Sequence, residues 1–144
     1  KPVRLGAAPL DTGPQAAPGM LASHYAPVKK LFRLPTRVGE LSSEQVDKLL
    51  RQVTGPSGPV GLLVGSGDPR AAEKILSAHI SQPVKAYSLS TAGNLAEAAQ
   101  NLFSVLRTMD AEPALRLLFT EPGPEGPGLA HALRDRLMRA TTPP

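Results

Sequence analysis

A chain of 144 residues with no cysteine is long enough for one domain that buries about two-thirds of its surface without disulfide or thiolate–metal support. Apolar residues make up 41% and aromatics only 3%, so the core has to be built from Leu, Val, Ile and Ala. The net charge of +4 is scattered, with no run of like charges longer than two and no interleaved aromatic platform, which describes solvated faces rather than a nucleic-acid surface.

Residues 1–27 differ from the rest. Pro2, Gly6, Pro9, Gly13, Pro14, Pro18, Gly19 and Pro27 punctuate them, and no periodicity survives between these positions. Prolines at this density remove amide donors and bias the residue before each towards an extended conformation, so the segment reads as an arm or linker. The chain opens at Lys1 rather than methionine, which suggests a piece of a longer protein, and it lacks a charged-then-apolar export pattern.

From Val28 the pattern becomes regular, and residues 28–144 form the body. Val28–Leu34 is a strand candidate. Ser42 and Gln45 have capping-box spacing, and Val46, Leu49, Leu50 and Val53 behind them mark one helical stripe. Gly55 to Pro59 ends that helix. Val60–Val64 is an apolar run without alternation, as in a parallel-sheet strand covered on both faces, and it is far too short to span a bilayer. After the Gly65–Gly67 turn, Asp68 and Pro69 suit an N-cap and first helical position, with Ala72, Ile75, Leu76 and His79 or Ile80 as the apolar face. Val84–Leu89 is a third strand. Asn94 with Glu97 opens a helix whose stripe is Leu95, Ala98, Leu102, Val105, Leu106 and Met109. Leu115–Phe119 is a fourth strand, Gly123 to Gly128 a proline-rich loop, and Leu129, Leu133 and Leu137 mark a last helix ending near Thr141. Four alternations of strand and helix predict an α/β fold, a mainly parallel sheet layered with helices.

No motif spells out chemistry. The Gly65-x-Gly67 turn follows an apolar strand, but the third glycine of a dinucleotide fingerprint would fall at Arg70, and Asp68 brings negative charge to where phosphates would lie. No phosphate-binding Gly-x-x-x-x-Gly-Lys element exists, and Ser66 has Val64 rather than glycine two residues before it, so the Gly-x-Ser-x-Gly nucleophile elbow fails too. His131 and Asp135 stand four apart on one helix, a spacing that fits a local surface contact better than a metal site. Glu121 and Glu125 flank the last loop and read as solvated carboxylates.

One part of the arm says more than its composition. Ala17-Pro18-Gly19-Met20, followed by His24-Tyr25-Ala26-Pro27, resembles the interdomain linker of two-domain threonylcarbamoyl-AMP synthases, usually Ser-Pro-Gly-Met, three variable residues, then His-Tyr-x-Pro. Ala98 to Phe103, running on to Leu106-Arg107 and Asp110, looks like that family's penultimate helix. Glu121-Pro122 through Gly128-Leu129-Ala130, with Asp135-Arg136-Leu137, looks like its closing loop and helix, and Val3 to Ala7 is similar to the last stretch of its catalytic domain. Ala17 for serine, Asp135 for the frequent asparagine and Pro127 within the usual Gly-Leu-Gly loop are departures.

The resemblance implies a Rossmann-like three-layer C-terminal domain at 28–144 behind an interdomain linker at 1–27. The catalytic part would be a separate YrdC-like domain, in cis or in trans, making threonylcarbamoyl-AMP and pyrophosphate from L-threonine, bicarbonate and ATP with magnesium. It further implies a cytoplasmic protein of tRNA threonylcarbamoyladenosine modification that binds tRNA weakly or not at all and meets other proteins of that modification. This chain alone would be inactive, with no cofactor and no catalytic residue of its own. A mixed anhydride must be kept from water, so the arm is expected to act as a lid, with Gly19, Met20, His24, Tyr25 and Pro27 as its contacts to the adenylate site. Two other readings stay open: a regulatory or interaction module, and a stand-alone small-nucleotide binder using the Gly65–Asp68 turn.

Overall fold

The computed structural model describes residues 26–53, 55 and 57–142. In chain order they form β1 (Leu31–Arg33), a short 3-10 turn (Val38–Glu40), α1 (Ser43–Gln52), β2 (Val60–Ser66), α2 (Pro69–Ser77), β3 (Val84–Ser90), α3 (Leu95–Ala111), β4 (Leu117–Thr120) and α4 (Leu129–Ala140). The strands make one all-parallel sheet in the order β1-β4-β2-β3.

The local signals act as their chemistry demands. Ser42 and Gln45 close a reciprocal capping box: the Ser42 hydroxyl accepts from the Gln45 amide at 3.1 Å, and the Gln45 side chain accepts from the Ser42 amide at 2.9 Å. Asp68 caps α2 by accepting from the Arg70 amide, with Pro69 at the first helical position. Asn94 caps α3 through the Glu97 amide at 2.8 Å, while the Glu97 carboxylate turns to the buried Ser90 hydroxyl instead of back to its own cap.

Because successive strand residues face opposite ways, each strand feeds two cores. Phe32, Leu62, Val64 and Phe119 pack with Val46 of α1 and with Ala72 and Leu76 of α2. Leu31, Leu63, Leu89 and Leu118 pack with Leu102, Leu106 and Met109 of α3 and with Leu133 and Leu137 of α4. The result is three layers, helices on both faces of a sheet, as in Rossmann-like folds. Gly61 lies in the central strand β2 because there is no room for more: a Cβ there would stand 2.9 Å from both Leu115 Cδ1 and Leu118 Cδ2 and 3.2 Å from Met109 Cε.

Side chains reach both edges of the sheet. On the outer side of β3 the Glu73 carboxylate accepts from the Ala86 amide at 2.8 Å, while the Asn101 side chain of α3 donates to the Leu89 carbonyl at 2.9 Å near the end of the strand. On β1, the Thr142 hydroxyl accepts from the Leu31 amide at 3.0 Å, and the Thr142 amide donates to the Leu31 carbonyl at 2.7 Å.

Four local expectations are corrected. The first strand spans Leu31–Arg33 rather than Val28–Leu34, because the amides of Val28 and Lys29 bond to the Asp110 carboxylate. The fourth spans Leu117–Thr120 rather than Leu115–Phe119, since Leu115 closes a turn onto the Glu112 carbonyl. Within the helix stripes, Leu50 and Ile75 sit at the solvent margin. In α4 the buried line is Ala130, Leu133, Leu137 and Ala140, leaving Leu129 exposed.

Candidate functional site

Two places on the body gather polar groups, one at each end of the strands. At the carboxyl ends lies a cleft of about 630 Å³ between the loops that leave the strands. There β2 leads into α2 on one face of the sheet and its neighbour β4 leads into α4 on the other. Such a divergence of neighbouring loops is where open α/β sheets form ligand crevices.

The floor of this cleft is held by Glu121. Its carboxylate accepts from the Val38 amide at 2.8 Å and from the Gly65 amide at 3.1 Å, tying the segment after β1, the last residues of β2 and the loop after β4 to one point. The sequence reading of Glu121 as a solvated carboxylate is therefore wrong: the group is half-buried and both oxygens are engaged. Glu125, by contrast, is exposed. At the Gly65–Asp68 turn the Gly65 amide is taken by the Glu121 carboxylate and the Arg70 amide by Asp68, so two carboxylates stand where a phosphate would approach. Arg134 secures the outer wall by donating to the Pro124 carbonyl at 2.5 Å and to the Gly126 carbonyl at 3.2 Å. Gly123 lies so close beneath it that a Cβ would stand 2.6 Å from the Arg134 Cα.

At the amino ends of the strands is a second constellation. Asp110, in the last turn of α3, accepts from the Val28 amide at 3.0 Å and from the Lys29 amide at 2.9 Å. The Lys29 ammonium donates to the carbonyls of Met109, Asp110 and Glu112, the last at 2.8 Å. The physical logic is reciprocal. A helix C-terminus presents orphan carbonyls and partial negative charge, so an acidic residue there is unfavourable alone. No basic residue of α3 lies in its last turn; the cation arrives from Lys29, 81 residues earlier in the chain. The segment that precedes β1 is thus pinned to the end of α3.

Of the residues expected to contact an adenylate, Gly19, Met20, His24 and Tyr25 lie outside the described residues. Pro27 is described, half-buried and adjacent to the pinned Val28. The His131–Asp135 pair resolves into separate contacts, His131 with Arg134 at 3.1 Å and Asp135 with Arg139 at 3.2 Å. Among the described residues no group of three or more His, Cys, Asp or Glu could hold a metal ion, and no helix is long and apolar enough to cross a membrane. The sequence reading had placed Asp110 and Glu121 in motifs without roles. The position of Asp110 at a helix end that disfavours it was the one available signal. Each of these carboxylates is used on two backbone amides, which makes them structural stitches rather than acid–base groups.

The family model described as threonylcarbamoyl-AMP synthase, C-terminal domain, matches residues 4–142. No curated protein and no solved structure matches the chain.

Proposed function

Since the chain belongs to the family of threonylcarbamoyl-AMP synthase C-terminal domains, we propose that it is the non-chemical partner of a YrdC-like catalytic domain, joined to it or bound to it, and that its arm covers the adenylate site. The catalytic domain would condense L-threonine, bicarbonate and ATP, held with magnesium, into threonylcarbamoyl-AMP, pyrophosphate and water. The product would pass, in the cytoplasm, to the proteins that modify tRNA. A carbamoyl phosphate anhydride hydrolyses when water reaches it, so a segment closing over the site preserves the intermediate.

The observation that carries this reading is that the family match runs through arm and body alike, and that the junction between them is fixed by the Lys29–Asp110 contacts. The alternative of a stand-alone nucleotide binder is disfavoured by the Glu121 carboxylate on the Gly65 amide. In a fusion of a catalytic domain to Lys1, replacing His24 and Tyr25 by alanine is expected to lower the yield of intact threonylcarbamoyl-AMP about tenfold, the scale on which loss of site closure acts. Unchanged yield and unchanged hydrolysis of the intermediate would end the lid reading.

A further inference from the structure

The pinned junction restricts where the arm can act. Val28 is fixed to Asp110 by its backbone amide, and four residue steps separate it from His24. Whatever conformation those residues adopt, an extended chain advances at most about 3.6 Å per residue, so the His24 Cα lies within about 14 Å of that of Val28. The cleft is much farther away. α3 begins at Leu95 on the cleft wall and reaches Asp110 fifteen residues later, which at 1.5 Å per residue is about 22 Å along the helix. The two constellations therefore sit at opposite ends of the body, and the His-Tyr pair is tethered to the amino-terminal end of the sheet.

From this we infer that the amino-terminal end of the sheet, around Val28, the end of α3 and the turn before β4, is the surface that meets the catalytic domain, and that the 630 Å³ cleft faces away from it. The inference rests on the reading of the arm as a cover for that domain's site. The occupant is fixed by continuity of the chain: a site covered by His24 and Tyr25 has to come within their short tether. The surface itself agrees. Val28 is 93% exposed, an apolar residue presented to water while its amide is bonded to Asp110. Lys29 reaches the Glu112 carbonyl, and around that point the Lys85–Glu112 ion pair at 3.8 Å and the exposed Ala114 add polar and apolar groups, as a solvent-accessible interface rim does.

The chain has no cysteine, so single thiols report cleanly on each surface. Val28→Cys and Ala114→Cys mark the amino-terminal end, and Arg37→Cys and Glu125→Cys mark the cleft. Rates of maleimide modification are compared between the chain alone and the chain fused through Lys1 to a catalytic domain. The inference expects the first two rates to fall by about fivefold or more in the fusion, with the cleft positions unchanged, since interface cores exclude solvent. Equal rates at all four positions, or protection of the cleft instead, would overturn it. The lid reading fails separately: if the His24 and Tyr25 substitutions leave the adenylate yield intact while Val28→Cys is still protected, the docking surface stands and the lid does not.

Discussion

Replacing Glu121 by alanine tests whether one carboxylate holds two loops and the end of β2 together. The substitution removes the acceptor of two amides, Val38 at 2.8 Å and Gly65 at 3.1 Å, at a half-buried position. A hydrogen bond to a charged group contributes about 1.5–3 kcal/mol when well buried, and partial solvent access lets water replace some of it. The sum for two such bonds is about 2–4 kcal/mol. For a domain of this size about 1 kcal/mol corresponds to about 4 °C, so the melting temperature should fall by about 8–16 °C. Glu121→Gln keeps one acceptor oxygen and should lose about half as much. Urea unfolding followed by circular dichroism measures the free energy, and amide exchange at Val38 and Gly65 locates the change. A loss below about 0.5 kcal/mol for alanine, with both amides still protected, would show that the carboxylate is not what joins the loops.

Two further outcomes follow from the packing and the junction. Gly61→Ala should destabilise by about 1–3 kcal/mol, because its Cβ would press on Leu115, Leu118 and Met109 inside the core; a neutral result in urea unfolding would mean those side chains yield more than their positions suggest. Asp110→Ala and Lys29→Met should each speed hydrogen exchange at the Val28 and Lys29 amides, and their double mutant should cost less than the sum by about 0.5 kcal/mol or more, since they act on one helix end; strict additivity would show two independent contacts.

What could be read from the residues divides by distance along the chain. Caps such as Ser42 with Gln45, Asp68 with Pro69 and Asn94 are decided within three or four positions, and each formed as its spacing implied. Apolar runs without alternation, such as Val60–Val64, implied strands covered on both faces, and the two cores provide that cover. The two stitches were not legible, because Asp110 lies 81 residues from Lys29 and Glu121 lies 56 from Gly65, and no local pattern encodes such pairings. The same contacts explain the misplaced start of the first strand: Val28 has the β-propensity of a strand residue, but its amide is engaged elsewhere. Strand order belongs to the same long-range category. The helix-stripe errors have another cause. Leu50, Ile75 and Leu129 lie where the apolar stripe meets water, and a period of 3.6 cannot say which flank of a stripe the neighbouring strand covers.

The side chains that reach the sheet edges bear on how such a domain behaves among its own copies. An open strand invites a neighbour to continue its ladder, and the usual outcome is aggregation. Here Thr142 engages both the amide and the carbonyl of Leu31 on β1, and Glu73 takes the Ala86 amide on β3, backbone groups that a stranger would otherwise claim. Each group engaged in this way is one fewer for a second copy to pair with, and the short β1 edge is the better guarded of the two.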